Sequence, residues 1–550
     1  MRKWLSLIGA LLILQSPSFA APDNFFDVKA LTATPLNPRV LKRTEANGII
    51  TEEVMFHSEK DGEKDVEIFA LFSYPDGAKA LPAYVWNQGG LGQATTHWTE
   101  YGAKRGYAVL CIDFPMPGYR STGAYPIVSG LELGDDPHQA PIYHGAVALL
   151  KAVSYLESRP EVDKNRIGMA GMSWGGFYTT LMAGLDPRIK AGSSMFGTGS
   201  LQLGNIWWDG QGWDAKRDAA FRERWRTTLD PAWRLPKRRV PIAWFATTND
   251  WFYWMPALMQ TYDMAPGAKH LSLMPNWDHA FPGNFVTQTF AFLDVHLKDA
   301  PDFNRVTPIK VFKRGQQLMA EWKFSGPRKV TSADLILSYG DNGNWTSRYW
   351  KTLPARIEGQ ICTAVLPVSA LPYYIGGTIY DADTFRYSTP LQRVYTPDFG
   401  KAGNTALDYD GAGEWSGFEE KHINYFREHG YPAPAVSNDA HEGKQSAVLS
   451  AGKTLIYPLY FTVGIPHRFS CFLKADKPTA VTLDLGGQFN GKPLNQTKEF
   501  QIGTEWTEVS LNFTPPSVLA VKLGVTFNVP QGSIVLADSV SFRPLSLESK

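Results

Sequence analysis

The stretch that decides the fold is RIGMAGMSWGGFYTTLMAGLDPRIKAG, residues 166–192. It opens on an apolar, strand-like run, RIGMA. It closes on WGGFYTTLMAGL, whose small and apolar residues recur at helical spacing. Between them Gly171-x-Ser173-x-Gly175 places a serine where strand passes into helix. A serine on so sharp a turn needs glycines two before and two after it, because side chains there would collide.

The flanking sequence repeats the same alternation. LPAYVWNQGG (81–90) is an apolar strand ending in a glycine loop, and TEYGAKRG (99–106) a helix with a glycine stop. YAVLCIDFP (107–115) is a buried strand, and APIYHGAVALLKAVSYLESRP (140–160) a long helix. IKAGSSMFG (189–197), VPIAWFATTND (240–250) and KHLSLMPN (269–276) are further strands, and NFVTQTFAFLDVHLKD (284–299) is a closing helix. Strands alternating with helices predict a mostly parallel sheet covered on both faces, an α/β fold. Ahead of it, GIITEEVMFHS (48–58) and DVEIFALFSYP (65–75) predict an antiparallel β lead-in.

After about residue 305 the helical pattern stops. Short alternating segments with turn residues predict an immunoglobulin-like β-sandwich over 305–400. A strand-rich unit over 401–550, with TEWTEVSLNFTPP and GSIVLADSVSFRPL as strands, predicts a jelly roll. The first 20 residues carry Arg2 and Lys3, an apolar run from Leu5 to Leu14, and Ser18-Phe19-Ala20 before Ala21. They read as a cleavable signal peptide, so the protein is expected in the periplasm or secreted. The expected units are thus 1–20, 21–304, 305–400 and 401–550.

Composition narrows the chemistry. Of 550 residues 44% are hydrophobic and 19% charged, and the net charge is +1, which gives no electrostatic basis for nucleic-acid binding. No later run is long and apolar enough for a transmembrane helix. The three cysteines, Cys111, Cys362 and Cys471, are too few and too dispersed for a disulfide framework; a Cys362–Cys471 bridge is the one pairing worth weighing. No cluster has metal-ligand spacing, no phosphate or dinucleotide loop occurs, and no cofactor is expected. Oligomeric state is not legible.

A serine hydroxyl attacks only if a base takes its proton and donors stabilise the oxyanion. The partners should follow in chain order, each just past a strand's C-terminal end. Asp250 lies there, 77 residues after Ser173, and His279 follows 29 residues later. Asp278 and Asp263 are rival acids. His270 is a rival base that opens its strand, His296 sits in the closing helix, and His144 reads as a packing residue. The oxyanion donors are expected at Trp174, directly after the serine, and in the loop Gln88-Gly89-Gly90. IWWDGQGW (206–213), with Trp207 and Trp208, and the pair Trp251 and Tyr253 are expected to wall the substrate cleft.

On these residues the chain resembles secreted α/β-hydrolases of the acetylxylan esterase and dienelactone hydrolase type. The resemblance rests on EVDKNRIGMAGMSWGGFYTTLMAGLDPRIKA (161–191), on QGGLGQAT (88–95), similar to their HGGGG-type loop with Gln88 in place of the usual His, on IYHGAVALL (142–150) and on TTNDWFY (247–253). It spans roughly residues 50–300. It implies Ser173 as nucleophile, Asp250 as acid and His279 as base, acting on an esterified poly- or oligosaccharide, most often to remove acetyl groups. A uronate methyl esterase, a prolyl-oligopeptidase-like peptidase and a non-catalytic glycan-binding protein are the alternatives. NDAHEGKQSAVLSAG (438–452) and IVLADSVSFRPL (534–545) make the third unit similar to carbohydrate-binding jelly rolls.

Overall fold

The computed structural model describes residues 25–61, 63–125, 131, 133–209, 217–341, 345–413, 417–428, 433–451, 456–462, 464–489, 492–515 and 523–547. The expected signal peptide lies outside the described residues, as do 210–213 of the IWWDGQGW stretch.

A nine-stranded sheet organises the first 300 residues. Its strands are β1 (Arg39–Ala46), β2 (Ile49–Asp61), β3 (Lys64–Pro75), β4 (Leu81–Asn87), β5 (Ala108–Ile112), β6 (Val162–Met172), β7 (Ile189–Met195), β8 (Ile242–Thr247) and β9 (Lys269–Met274), in the order β1-β2-β3-β5-β4-β6-β7-β8-β9. β1, β2, β3 and β5 pair antiparallel, whereas every pair from β5 through β4 to β9 is parallel. Burial follows from that pairing. β5 and β8 are buried along their whole length, as both faces of a parallel strand must be, while the edge strand β1 is exposed throughout.

The eight helices described here are α1 (Val28–Ala33), α2 (Thr96–Lys104), α3 (Pro141–Ser158), α4 (Trp174–Leu185), α5 (Ile206–Asp209), α6 (Ala219–Thr228), α7 (Met255–Met264) and α8 (Phe285–Leu297). α3 and α4 cover one face, α2 and α8 the other. The period of two along β4 makes the division visible. Ala83 and Val85 join the core of α3 and α4, whereas Tyr84 and Trp86 join the core of α8. The α3 sequence predicts this packing, since thirteen of its eighteen residues are buried.

Beyond residue 305 the described strands are all antiparallel. Two five-stranded sheets built from residues 305–394 face each other, and a five-stranded and a four-stranded sheet form from 435–544. The first sandwich covers the open edge of β9, where the Leu273 N–H donates to Ser388 Oγ at 3.0 Å. Otherwise that edge would present unpaired amides to water. Cys111, Cys362 and Cys471 are buried free thiols, so the Cys362–Cys471 bridge does not form. Burial pushes the Cys111 and Cys362 thiols up to about 12, which makes them inert.

Candidate active site

β6 ends at Met172, α4 begins at Trp174, and Ser173 makes the turn alone with φ +55° and ψ −120°. A non-glycine residue held there stores about 1–3 kcal/mol of backbone strain. The neighbours permit it. A Cβ on Gly171 would lie 2.7 Å from the Asn87 carbonyl oxygen, and one on Gly175 would overlap the same carbonyl. Ser173 is then pinned from both sides. Its N–H donates to the Met195 carbonyl at 2.9 Å and its carbonyl accepts from the Phe177 N–H at 2.9 Å.

Two loops from the next strands converge on the hydroxyl. Asp250 follows β8 and His279 follows β9. His279 Nε2 lies 2.9 Å from Ser173 Oγ, and its Nδ1 lies 2.8 Å from Asp250 Oδ2. Asp250 is almost wholly buried, and its other oxygen accepts the N–H groups of Phe252 at 2.8 Å and Tyr253 at 3.1 Å. An ionised carboxylate only accepts, so Nδ1 carries the ring proton and Nε2 turns its lone pair to the serine. Asp278 instead accepts the backbone N–H of His279 at 2.7 Å. Asp263 is exposed on α7. His270 lies at the opposite end of β9, and His144 is buried against Tyr125 and bonded to Glu59. His296, expected on the helix surface, is half-buried against Phe292 because the first sandwich closes over α8.

Both loops are braced by the first sandwich, a support that the sequence does not advertise. Asn276 donates from Nδ2 to the Trp350 carbonyl at 2.8 Å and accepts the Trp350 N–H at 2.7 Å. Asn249 donates to the carbonyls of Thr346 at 3.1 Å and Arg348 at 2.6 Å. Thr248 Oγ1 ties the two loops together, donating to Asn249 Oδ1 at 2.7 Å and accepting from the Asn276 N–H at 3.0 Å.

As the first residue of α4, Trp174 has an N–H without an intrahelical partner. Across from it runs the loop after β4. Gly89 comes closest, since a Cβ there would lie 3.4 Å from the Ser173 Cβ, and one on Gly90 would strike the Trp174 ring at 2.6 Å. The buried Gln88 side chain reaches Thr95. Asp113 fixes the far end of the loop. It accepts the Ala94 N–H at 2.6 Å and binds Arg120, which returns a bond to the Ala94 carbonyl.

Aromatic rings wall the site. Trp207 packs between Trp174 at 5.1 Å, Phe252 at 5.3 Å and Tyr253 at 5.4 Å. The His279 ring meets Phe196 edge-on at 4.6 Å and Phe252 at 4.8 Å. Trp251 stands beside Phe252 at the rim, and Tyr253 is buried behind it. Trp208 departs from the expectation of a cleft wall. Helical geometry turns it away from its neighbour Trp207, into the core against Phe221 and Trp225. Phe196, Phe252 and the exposed Phe281 were not legible as site residues, though Phe252 and Phe281 each lie two residues after a triad position. Among the described residues no group of three His, Cys, Asp or Glu side chains could hold a metal ion.

Residues 71–281 match the family model of the dienelactone hydrolase family, and residues 415–533 match that of a carbohydrate binding domain. No curated protein matches the chain. Similar solved structures include an acetyl xylan esterase from Paenibacillus sp. R4 (21% identity, 50% of this chain and 93% of that one, TM-score 0.43). Acetyl xylan esterase 1 from Thermoanaerobacterium sp. JW/SL YS485 is another (16%, 50% and 94%, TM-score 0.43). A putative dipeptidyl aminopeptidase IV from Bacteroides ovatus is similar over 46% of this chain and 35% of that one (19%, TM-score 0.33).

Proposed function

From a chain that carries a dienelactone-hydrolase-type serine ester hydrolase domain and a C-terminal carbohydrate-binding domain, we propose an exported carbohydrate esterase that removes O-acetyl groups from a polysaccharide. We divide the mature chain into a catalytic unit over 21–304, a sandwich over 305–400 and a jelly roll over 401–550. The observation that carries the proposal is the relay from Ser173 through His279 to Asp250, at 2.9 and 2.8 Å, on neighbouring strand ends.

Ser173 Oγ attacks the ester carbonyl while His279 Nε2 takes its proton. The oxyanion is held by the Trp174 N–H and by a second donor from Gln88 to Gly90, of which Gly89 is nearest the serine. His279 then gives the proton to the leaving sugar hydroxyl, and an acyl-serine remains. Water repeats the sequence, donating its proton to His279 and releasing acetate. Asp250 holds the ring and stabilises its positive charge without taking the proton. Trp207, Phe252 and Phe196 suit the methyl of an acetyl group and the apolar faces of a sugar ring. The signal-peptide reading of residues 1–20 supports export, and among the described residues no helix is long and apolar enough to cross a membrane.

The test is release of acetate from acetylated xylan against methanol from methyl-esterified pectin, with the Ser173→Ala variant alongside. Acetate that disappears in the variant is the expected result. Methanol alone would keep the mechanism and replace the substrate.

A further inference from the structure

A second concave site lies away from Ser173, where the first sandwich meets the third unit. It is a cleft of about 490 Å³. Tyr349 and Lys351 of the sandwich form one wall. Phe472 and Ser470, from the strand His467–Ala475, and Arg543, from the strand Ile534–Pro544, form the other. Asp408 and Asp410, on the segment joining the two units, lie between them.

The lining tells what would fit. The charged groups neutralise one another. Asp408 pairs with Lys351 at 3.5 Å and with Arg543 at 2.7 Å, and Asp410 pairs with Arg543 at 3.2 Å. With Glu442 also on the wall, two cations face three carboxylates. Such a lining offers many donors and acceptors but repels polyanions. Phe472 points outward from its strand, with the His441 ring stacked at 3.6 Å, and gives the cleft an apolar surface among hydroxyls. Hydrogen-bonding groups around a ring face are what a neutral sugar chain requires.

The cleft also adjoins the catalytic loops. Tyr349 precedes Trp350, whose backbone is bonded twice to Asn276 in the His279 loop. Tyr460, packed on Tyr349 at 5.8 Å, donates to the Asn276 carbonyl at 3.5 Å.

We propose that this cleft is a glycan-binding site shared between the sandwich and the third unit, selective for neutral, esterified chains over polyuronates. It rests on the carbohydrate-esterase reading and adds where the polymer is held. Neither unit alone supplies both walls. A chain held there lies beside the loop that carries the base, and the effective concentration of its neighbouring residues at Ser173 rises.

The experiment uses the full chain in native gels containing acetylated xylan or polygalacturonate, together with turnover of 4-nitrophenyl acetate. Variants are Lys351→Ala on the sandwich wall, Phe472→Ala on the third-unit wall and Ser470→Trp to fill the cleft. The wild type is expected to be retarded by acetylated xylan and not by polygalacturonate. Each variant is expected to lose about fivefold or more in affinity for the xylan, while turnover of the small ester stays within about twofold. Retardation lost in Phe472→Ala but kept in Lys351→Ala would overturn the shared site. So would retention by polygalacturonate, absence of retardation by either polymer, or an equal fall in small-ester turnover. Binding is read without catalysis. Loss of turnover in the wild type with retardation intact would count against the esterase reading alone.

Discussion

The two ends of β9 each carry a histidine, and the structure treats them oppositely. His270 enters the strand buried among Phe303, Tyr387 and Phe245, bonded to Gln288 at 3.0 Å. Burial, with the Arg328 charge adding to it, lowers its pKa to about 3, so it stays neutral. His279, past the other end, faces Asp250 and Ser173. The side chain is the same and the neighbours decide. The C-terminal ends of parallel strands open into loops where polar groups from several strands can meet, while the N-terminal ends here are packed into the core.

The sharpest way to break this comparison is to exchange the two histidines' fates. His279→Ala is expected to cost turnover of acetate esters about 10⁴-fold or more, as loss of a triad base does. His270→Gln should change it less than about threefold. A large kinetic loss in His270→Gln with the fold intact would erase the distinction.

The neighbouring tryptophans sharpen the point on stability. Trp208→Ala empties a fully buried site and should cost about 3–5 kcal/mol, measured by urea unfolding. Trp207→Ala should cost less and instead raise KM for the ester.

The pH dependence of stability follows from His270 and from His467, which burial lowers to about 4. Both bind a proton in the unfolded chain near pH 6.5 and resist it when folded. Their contribution is complete above pH 6.5 and is lost as the pH falls toward 4 and then 3, on the order of 3–5 kcal/mol for His270. His270→Gln should flatten that acid limb. An unchanged limb in melts from pH 7 to 4 would contradict it.

The smallest effect belongs to the brace. Asn276→Ala removes both bonds to Trp350 and should lower kcat for a small ester about tenfold with KM nearly unchanged, since misplacing a catalytic group by a fraction of an ångström suffices. A KM effect without a kcat effect would place Asn276 outside the positioning of His279.

What could be read in the sequence was whatever depends on local pattern. The strand, turn and helix around Ser173 are written in residues 166–185, and the order of Asp250 and His279 follows from where their strands end. Trp174 and Gly89 were legible for the same reason. The brace was not, because Asn276 and Trp350 lie 74 residues apart and pair through backbone atoms that any residue carries. Trp208 was misread because a pair of adjacent tryptophans says nothing about which one a four-residue helix turns inward. The shared cleft was invisible for the reason the brace was. Its walls come from positions 349–351 and 470–472, brought together only by the packing of two sandwiches.

The most direct measurement is labelling by a fluorophosphonate probe, mapped by peptide mass spectrometry, in the wild type, Ser173→Ala and His279→Ala. The account predicts a single adduct on Ser173 in the wild type, none in Ser173→Ala, and labelling slowed by orders of magnitude in His279→Ala. An unlabelled Ser173, or equal labelling without His279, would contradict it.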